Sequence, residues 1–203
     1  IDEIRTKIEE WKKKKLINEN EYFVLLASLI ESVPFYANIS GVYAAFLKKY
    51  DPRALKSLEI KPFSFYSGTK SHSVYNKNSM ELINKLNVDV LYLDPPYNQR
   101  QYAPNYHLLE TIALYDNPKI KGVTGMRDYK NQKSEFCNKD TELETLEKIA
   151  KTAKYKYLIL SYNSEGIMPE KDILSVFGKY GKVNLKNIDY LRFKSNSNGV
   201  SKH

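Results

Sequence analysis

Cysteine occurs once, at Cys137, so no internal disulfide framework can form and a reducing, cytoplasmic setting is the expected one. Histidine occurs three times, at His72, His107 and His203. None of these has metal-ligand spacing and Cys137 stands alone, so no metal site is predicted. No apolar run approaches the ~20 residues of a membrane-spanning helix, and no signal-peptide pattern opens the sequence. Internal repeats and low-complexity tracts are absent too. These absences remove disulfide-stapled, zinc-centred and membrane-spanning classes from the expectation.

What is present points to a globular α/β protein with a polyanionic partner. The 203 residues suffice for one sizeable domain, or for a core domain with a small helical one. Lysine and arginine total 32 against 24 acidic residues, giving a net charge of +8 and a pI near 9.2. Such a balance favours nucleic acid without proving it. Seventeen tyrosines add amphipathic rings, some of which can stack on bases.

Periodicity divides the chain near Pro62. Residues 1–62 read as helical, with Ile1, Ile4, Ile8 and Trp11 at helical spacing. Lys12 to Lys15 closes that segment, where positive charge suits a helix C-terminus. A second helix is expected from Asn18 to Pro34 with Phe23, Leu26, Ala27 and Ile30 on one face, and a third over 41–50. From 63 to 203 strands and helices alternate. Strands are expected at 73–76, 88–93, 157–160 and within 182–193, and helices at 78–86, 105–115, 141–153 and from Pro169 to Gly178 or Gly181. Thr141 with Glu144 makes a capping box in sequence, and 116–139 reads as a mobile basic loop. Alternation of this kind predicts a mainly parallel sheet with helices on its faces, a partial Rossmann-like sheet with an N-terminal helical subdomain.

The run Val88-Asp-Val-Leu-Tyr-Leu93 is followed by Asp94-Pro95-Pro96-Tyr97. Two prolines stop the strand, so a carboxylate, a stiff backbone and an aromatic ring emerge at its carboxyl end, where open α/β sheets bind ligands. A strand-terminating turn is the simpler reading, but it requires neither the tyrosine nor two consecutive prolines. An exocyclic amine on a nucleobase is a poor nucleophile, because its lone pair is delocalised into the ring. Asp94 and the Pro95 carbonyl can accept both of its hydrogens and favour a pyramidal nitrogen, while Tyr97 offers a face for a base rotated out of its duplex. Arg100, Tyr102 and Tyr106 follow closely, where they suit either DNA contacts or surface packing. Ser161 and Asn163 reach the same rim if the sheet is parallel.

The tetrapeptide after its strand resembles the catalytic motif of amino-group DNA methyltransferases. Further segments resemble one branch, the D12-type adenine-N6 enzymes that use S-adenosylmethionine. They are Asn98 to Thr111, Asn38 to Lys48, Leu160-Ser-Tyr-Asn163-Ser-Glu-Gly166 and Tyr190-Leu-Arg-Phe-Lys194-Ser. The resemblance implies that Asp94 and Pro95 bind adenine N6, that Pro96 stiffens the loop and that Tyr97 stacks on the extruded base. It implies double-stranded DNA as partner and target recognition in the N-terminal helices. By position, Arg100, Tyr102, Tyr106 and Lys194 are the candidate DNA contacts, while a solvated strand end explains Lys194 and Arg192 as well. Tyr75-Asn-Lys-Asn78-Ser-Met-Glu81 resembles the stretch that reads the donor's adenine, with Asn78 in the place of the usual aspartate. Asn78 and Asp94 are therefore the implied cofactor contacts, although Asn78 with Glu81 also makes a good helix cap.

The family places a Phe-x-Gly-x-Gly cofactor loop ahead of the catalytic motif, and none precedes Asp94 here. Phe177-Gly-Lys-Tyr-Gly181 has a similar composition but follows a helix, which makes it a helix cap. The expectation is therefore a fragment, or one part of a split enzyme completed by an N-terminal segment or companion chain. Two alternatives stay open: an RNA or cytosine-N4 methyltransferase of the same chemistry, and a non-catalytic nucleic-acid-binding module with a degenerate methyltransferase fold. Asp94 weighs against cytosine and protein-glutamine enzymes, which more often carry Ser or Asn at that position.

Overall fold

The computed structural model describes residues 1–39, 41–63 and 68–189. Its helices are α1 (Asp2–Lys13), α2 (Glu19–Tyr36), α3 (Ser79–Leu82), α4 (Tyr102–Asn105), α5 (His107–Leu114), α6 (Glu142–Thr152) and α7 (Glu170–Gly178). Strand β1 (Asn87–Leu93) follows α3, and β2 (Lys154–Leu160) follows α6. The described residues form two compact units, one from 1–69 with Ala103–Tyr129 and one from Lys70–Tyr102 with 130–189. Among the described residues no helix is long and apolar enough to cross a membrane.

In the first unit, α1 carries Asp2 and Glu3 in its first turn and Lys12 and Lys13 in its last, both favourable to the helix dipole. Asn18 starts α2 with a reciprocal capping box: its Oδ1 accepts from Glu21 N at 3.0 Å while Glu21 Oε2 accepts from Asn18 N at 2.7 Å. Asn18→Ala is expected to lower stability by about 1 kcal/mol in chemical denaturation, the ordinary loss for such a cap. Ile8, Leu26, Leu29, Val33 and Ile112 share one core.

Three expectations for this unit change. The buried face of α2 runs through Tyr22, Leu26, Leu29 and Val33, whereas Phe23 is 54% exposed. Pro34 lies inside the last turn instead of ending the helix. Residues 41–50 form bends and turns rather than a helix, and only a 3₁₀ turn at Pro52–Leu55 follows. The backbone there finds partners elsewhere: Tyr43 N donates to Asn105 O at 2.8 Å, and Asp51 N to Asn38 Oδ1 at 2.8 Å.

The second unit is built on the parallel pair β1–β2, in register from Asn87↔Lys154 to Leu93↔Leu160. Leu91 of β1 packs with Leu146 and Ile149 of α6 and Val176 of α7 in a second core. The mixed helix–strand architecture with a small parallel sheet and N-terminal helices agrees with the sequence expectation. Among the described residues, however, helices cover only one face. On the other, Val90 pairs with Tyr157 and Tyr92 with Ile159, and all four side chains are at least half exposed.

Other local expectations differ as well. Residues 73–76 pair with no strand, and Val74 is almost fully exposed. Residues 182–189 likewise form no strand, and 190–193 lie outside the described residues. Thr141 precedes α6 without capping it through its side chain, because its hydroxyl donates to Glu135 O at 2.9 Å. The segment 116–139 carries local structure: Lys121 and Met126 close a turn with Gly122 and Gly125 at positive φ, and Asp116 pairs with Arg127 at 2.6 Å. Its later part forms 3₁₀ turns that bury Phe136 and Cys137.

Candidate active site at the carboxyl end of the sheet

Because β1 and β2 run parallel, their carboxyl ends share one rim. Ser161 N donates to Leu93 O at 2.9 Å, which extends the ladder one step beyond β2. Asp94 follows immediately and is exposed, Pro95 and Pro96 are half-buried, and the Tyr97 side chain is exposed. A carboxylate, a carbonyl without a neighbouring proline N–H, and an aromatic face thus stand in sequence at the sheet's end.

The residues after the motif are held by contacts within the same unit. Asn98 Oδ1 accepts from Arg100 N at 2.9 Å, making a side-chain-closed turn. Gln101 then grips the backbone of Ser134 at two points, its Oε1 accepting from Ser134 N at 2.7 Å and its Nε2 donating to Ser134 O at 3.1 Å. Cys137 Sγ donates to Arg100 O at 3.5 Å, and burial pushes that thiol upward from its ordinary pKa. The Gln101 clamp was not visible in sequence, since its partner lies 33 residues away.

Asn78 caps α3 by accepting from Met80 N at 2.9 Å, so the bond to Glu81 N expected of a capping box is replaced by one to Met80. An amide oxygen has a second lone pair, so capping and reception of an amine are compatible at this exposed side chain. Arg100 and Tyr102 belong to the same unit as Asp94 and are exposed; Tyr106 belongs to the other unit. Lys194, with Arg192, lies outside the described residues. His107 is buried, with Nε2 3.3 Å from Tyr43 O. Asn163 closes its own turn, accepting from Glu165 N at 2.8 Å. No group of acidic, histidine or cysteine side chains among the described residues is arranged to hold a metal.

A parallel α/β pair presenting Asp-Pro-Pro-Tyr at its carboxyl rim defines the amino-methyltransferase class that the sequence resembles. Comparison with known proteins narrows the class. Residues 1–176 match the family described as D12 class N6 adenine-specific DNA methyltransferase, and the chain belongs to that family. It is 42% identical to the type II methyltransferase M.NlaIII of Neisseria lactamica, over all of this chain and 60% of that protein. It is 41% identical to the modification methylase StsI of Streptococcus sanguinis, over all of this chain and 31% of the relative. With M.FokI of Planomicrobium okeanokoites the identity is 43%, over 96% of this chain and 31% of the relative. The chain therefore spans less than two thirds of the length of each of these relatives. No solved structure matches it.

Proposed function

We propose that this chain is the base-binding portion of a site-specific DNA adenine-N6 methyltransferase of a type II restriction–modification system. The observation that carries the reading is the position of Asp94-Pro95-Pro96-Tyr97 at the carboxyl rim of the parallel pair, in a member of the D12 family. Asp94 and the Pro95 carbonyl accept the two N6 hydrogens of a flipped adenine and bring its lone pair out of conjugation with the ring. Pro96 fixes the backbone between them and Tyr97, which stacks on the base. The Asp94 carboxylate also stands where the methylated nitrogen sheds its proton. Tyr97→Ala is expected to weaken the complex with duplex containing the flipped base by ~1–3 kcal/mol, read by titration against the wild type.

Double-stranded DNA is the proposed substrate, with Arg100, Tyr102, Tyr106 and Lys194 as contacts and residues 1–62 as the target-recognition region beside a catalytic portion over 63–203. The net charge of +8 supports a phosphate-rich partner. S-adenosylmethionine is the proposed donor, and when bound it supplies an electrophilic methyl carbon. The described residues fit it in part. Asn78 keeps a lone pair for the donor's adenine amine, and Asp94 borders the same site in this reading. The glycines of Phe177-Gly-Lys-Tyr-Gly181 end α7 and provide no cradle after a strand.

We infer that an N-terminal segment or companion chain completes the donor pocket. The missing Phe-x-Gly-x-Gly loop supports this, as does the exposed Val90–Tyr92–Tyr157–Ile159 face, since parallel sheets are ordinarily covered on both sides.

The test is incubation of the full-length protein with labelled methyl donor and mixed-sequence duplex, followed by nucleoside mass spectrometry. N6-methyladenine is expected. N4-methylcytosine would move the reading to the cytosine enzymes. No methylated nucleoside, on DNA diverse enough to contain the target, would favour the non-catalytic module.

A further inference from the structure

The turn after β2 holds both ends of the catalytic tetrapeptide. Ser161 N fixes the carbonyl just before Asp94, and Ile167 N donates to Tyr97 O at 2.9 Å. Between these anchors Pro95 and Pro96 have restricted φ and no N–H, so the segment's geometry is set largely at its ends. Tyr97 O receives a second donor, the Tyr162 hydroxyl at 3.4 Å, which itself accepts from Met168 N at 3.1 Å. The two contacts differ in strength: 3.4 Å is long for an O–H donor, whereas the Ile167 bond is of ordinary length.

Gly166 determines where that phenol can lie. A Cβ at 166 would stand 2.2 Å from Tyr162 Cε1, 2.5 Å from Cζ and 2.7 Å from Oη. Any other side chain must therefore push the ring away, and with it both of its hydrogen bonds. Burial raises the Tyr162 pKa and is opposed by the N–H of Met168, while the Glu142 charge adds to the rise. The hydroxyl thus keeps its proton for Tyr97 O at neutral pH.

We propose that Tyr162 is a positioning residue, seated by Gly166, that fixes the backbone of Tyr97 and so the angle between its ring and the acceptors at Asp94 and Pro95. This rests on the methyltransferase reading. Tyr162 touches neither base nor donor in this role. It acts only through Tyr97, so losing it misplaces the base without removing a reacting group.

The test uses the full-length methyltransferase, its target site first mapped by sequencing methylated DNA, with Tyr162→Phe, Gly166→Ala and the double variant. Tyr162→Phe should lower kcat by about three- to tenfold, the scale of one neutral hydrogen bond. KM for the donor should stay unchanged, and the emission of 2-aminopurine placed at the target adenine should shift. Gly166→Ala should lower kcat on the order of a hundredfold, as a displacement near 1 Å can. The double variant should be no worse than Gly166→Ala alone, because the displaced ring has already lost its bond. Wild-type kcat and emission in Tyr162→Phe would overturn the proposal. So would multiplicative losses in the double variant, or lowered thermal stability with full kcat per folded molecule. Absence of N6-methyladenine with the wild-type enzyme overturns the functional reading instead.

Discussion

Asp94→Ala in the full-length methyltransferase is expected to abolish N6-adenine methylation, with a loss on the order of a thousandfold, while donor binding, which keeps its Asn78 contact, weakens far less. The expectation follows from what the alanine removes. Of the two acceptors proposed for the adenine amine, only the Pro95 carbonyl would remain, and the nitrogen lone pair would stay conjugated with its ring. Removing one preorganised polar group from a reacting centre ordinarily costs a factor of 10²–10³. In the proposed site the substitution also removes the carboxylate that takes the nitrogen's proton. The substitution leaves the scaffold alone, because Asp94 is exposed and the neighbouring Leu93–Ser161 bond is between backbone atoms. Asp94→Asn should fall between wild type and alanine: it keeps one acceptor oxygen but loses the charge and adds an amide donor. Nucleoside mass spectrometry after incubation with labelled donor reads the first effect, and calorimetric titration of the donor reads the second. Unchanged turnover in the alanine variant would remove Asp94 from the mechanism.

The parts of this site legible in sequence were those carried by local chemistry. The Val88–Leu93 run ends at two prolines, and β1 ends there for the same reason: proline supplies no N–H to a ladder. The expected start of α2 at Asn18 also held, because its capping partner Glu21 lies within one turn. What escaped was decided by distant partners. Residues 41–50 had helical spacing, yet Tyr43 N pairs with Asn105 across the sequence. The α2 face was misplaced by one residue because Tyr22 is buried through its hydroxyl, which hydrophobic periodicity cannot register. Residues 73–76 had strand composition and lacked a neighbour. The Gln101–Ser134 and Tyr162–Tyr97 contacts span 33 and 65 residues, so no local pattern could announce them. Gly166 left a faint signal, a glycine four residues after a tyrosine at a strand end, but its necessity follows only from where the ring lies.

Arg5→Met is expected to lower the unfolding free energy by about 3 kcal/mol, the lower end of the range for breaking a buried, hydrogen-bonded ion pair, because Arg5 is buried while Glu9 is partly exposed. Arg5 is only 2% exposed, and its guanidinium serves three acceptors. Nε donates to Ile112 O at 2.7 Å, one terminal nitrogen to Glu9 Oε2 at 3.1 Å and the other to Tyr22 Oη at 3.0 Å. It also lies 4.3 Å from the centre of the Tyr115 ring. Methionine preserves most of the apolar stem while stranding the acceptors, so the loss reports the head group rather than a cavity. Lysine would retain charge but cannot reproduce the planar fork, and should recover only part of the stability. The acid limb supplies a second readout. Burial alone would raise the Glu9 pKa, but bonding to Arg5, the Arg5 charge, the Tyr22 hydroxyl and the Lys12 charge together outweigh that and hold it below 4.5. A depressed carboxyl stabilises the fold above its unfolded pKa and loses that contribution as pH falls through the folded value. Without Arg5 the two largest lowering influences are gone, so this part of the acid-side loss should shrink. Urea denaturation on either side of pH 4.5 checks both effects; equal stability of Arg5→Met and wild type at neutral pH would show that the network contributes nothing net.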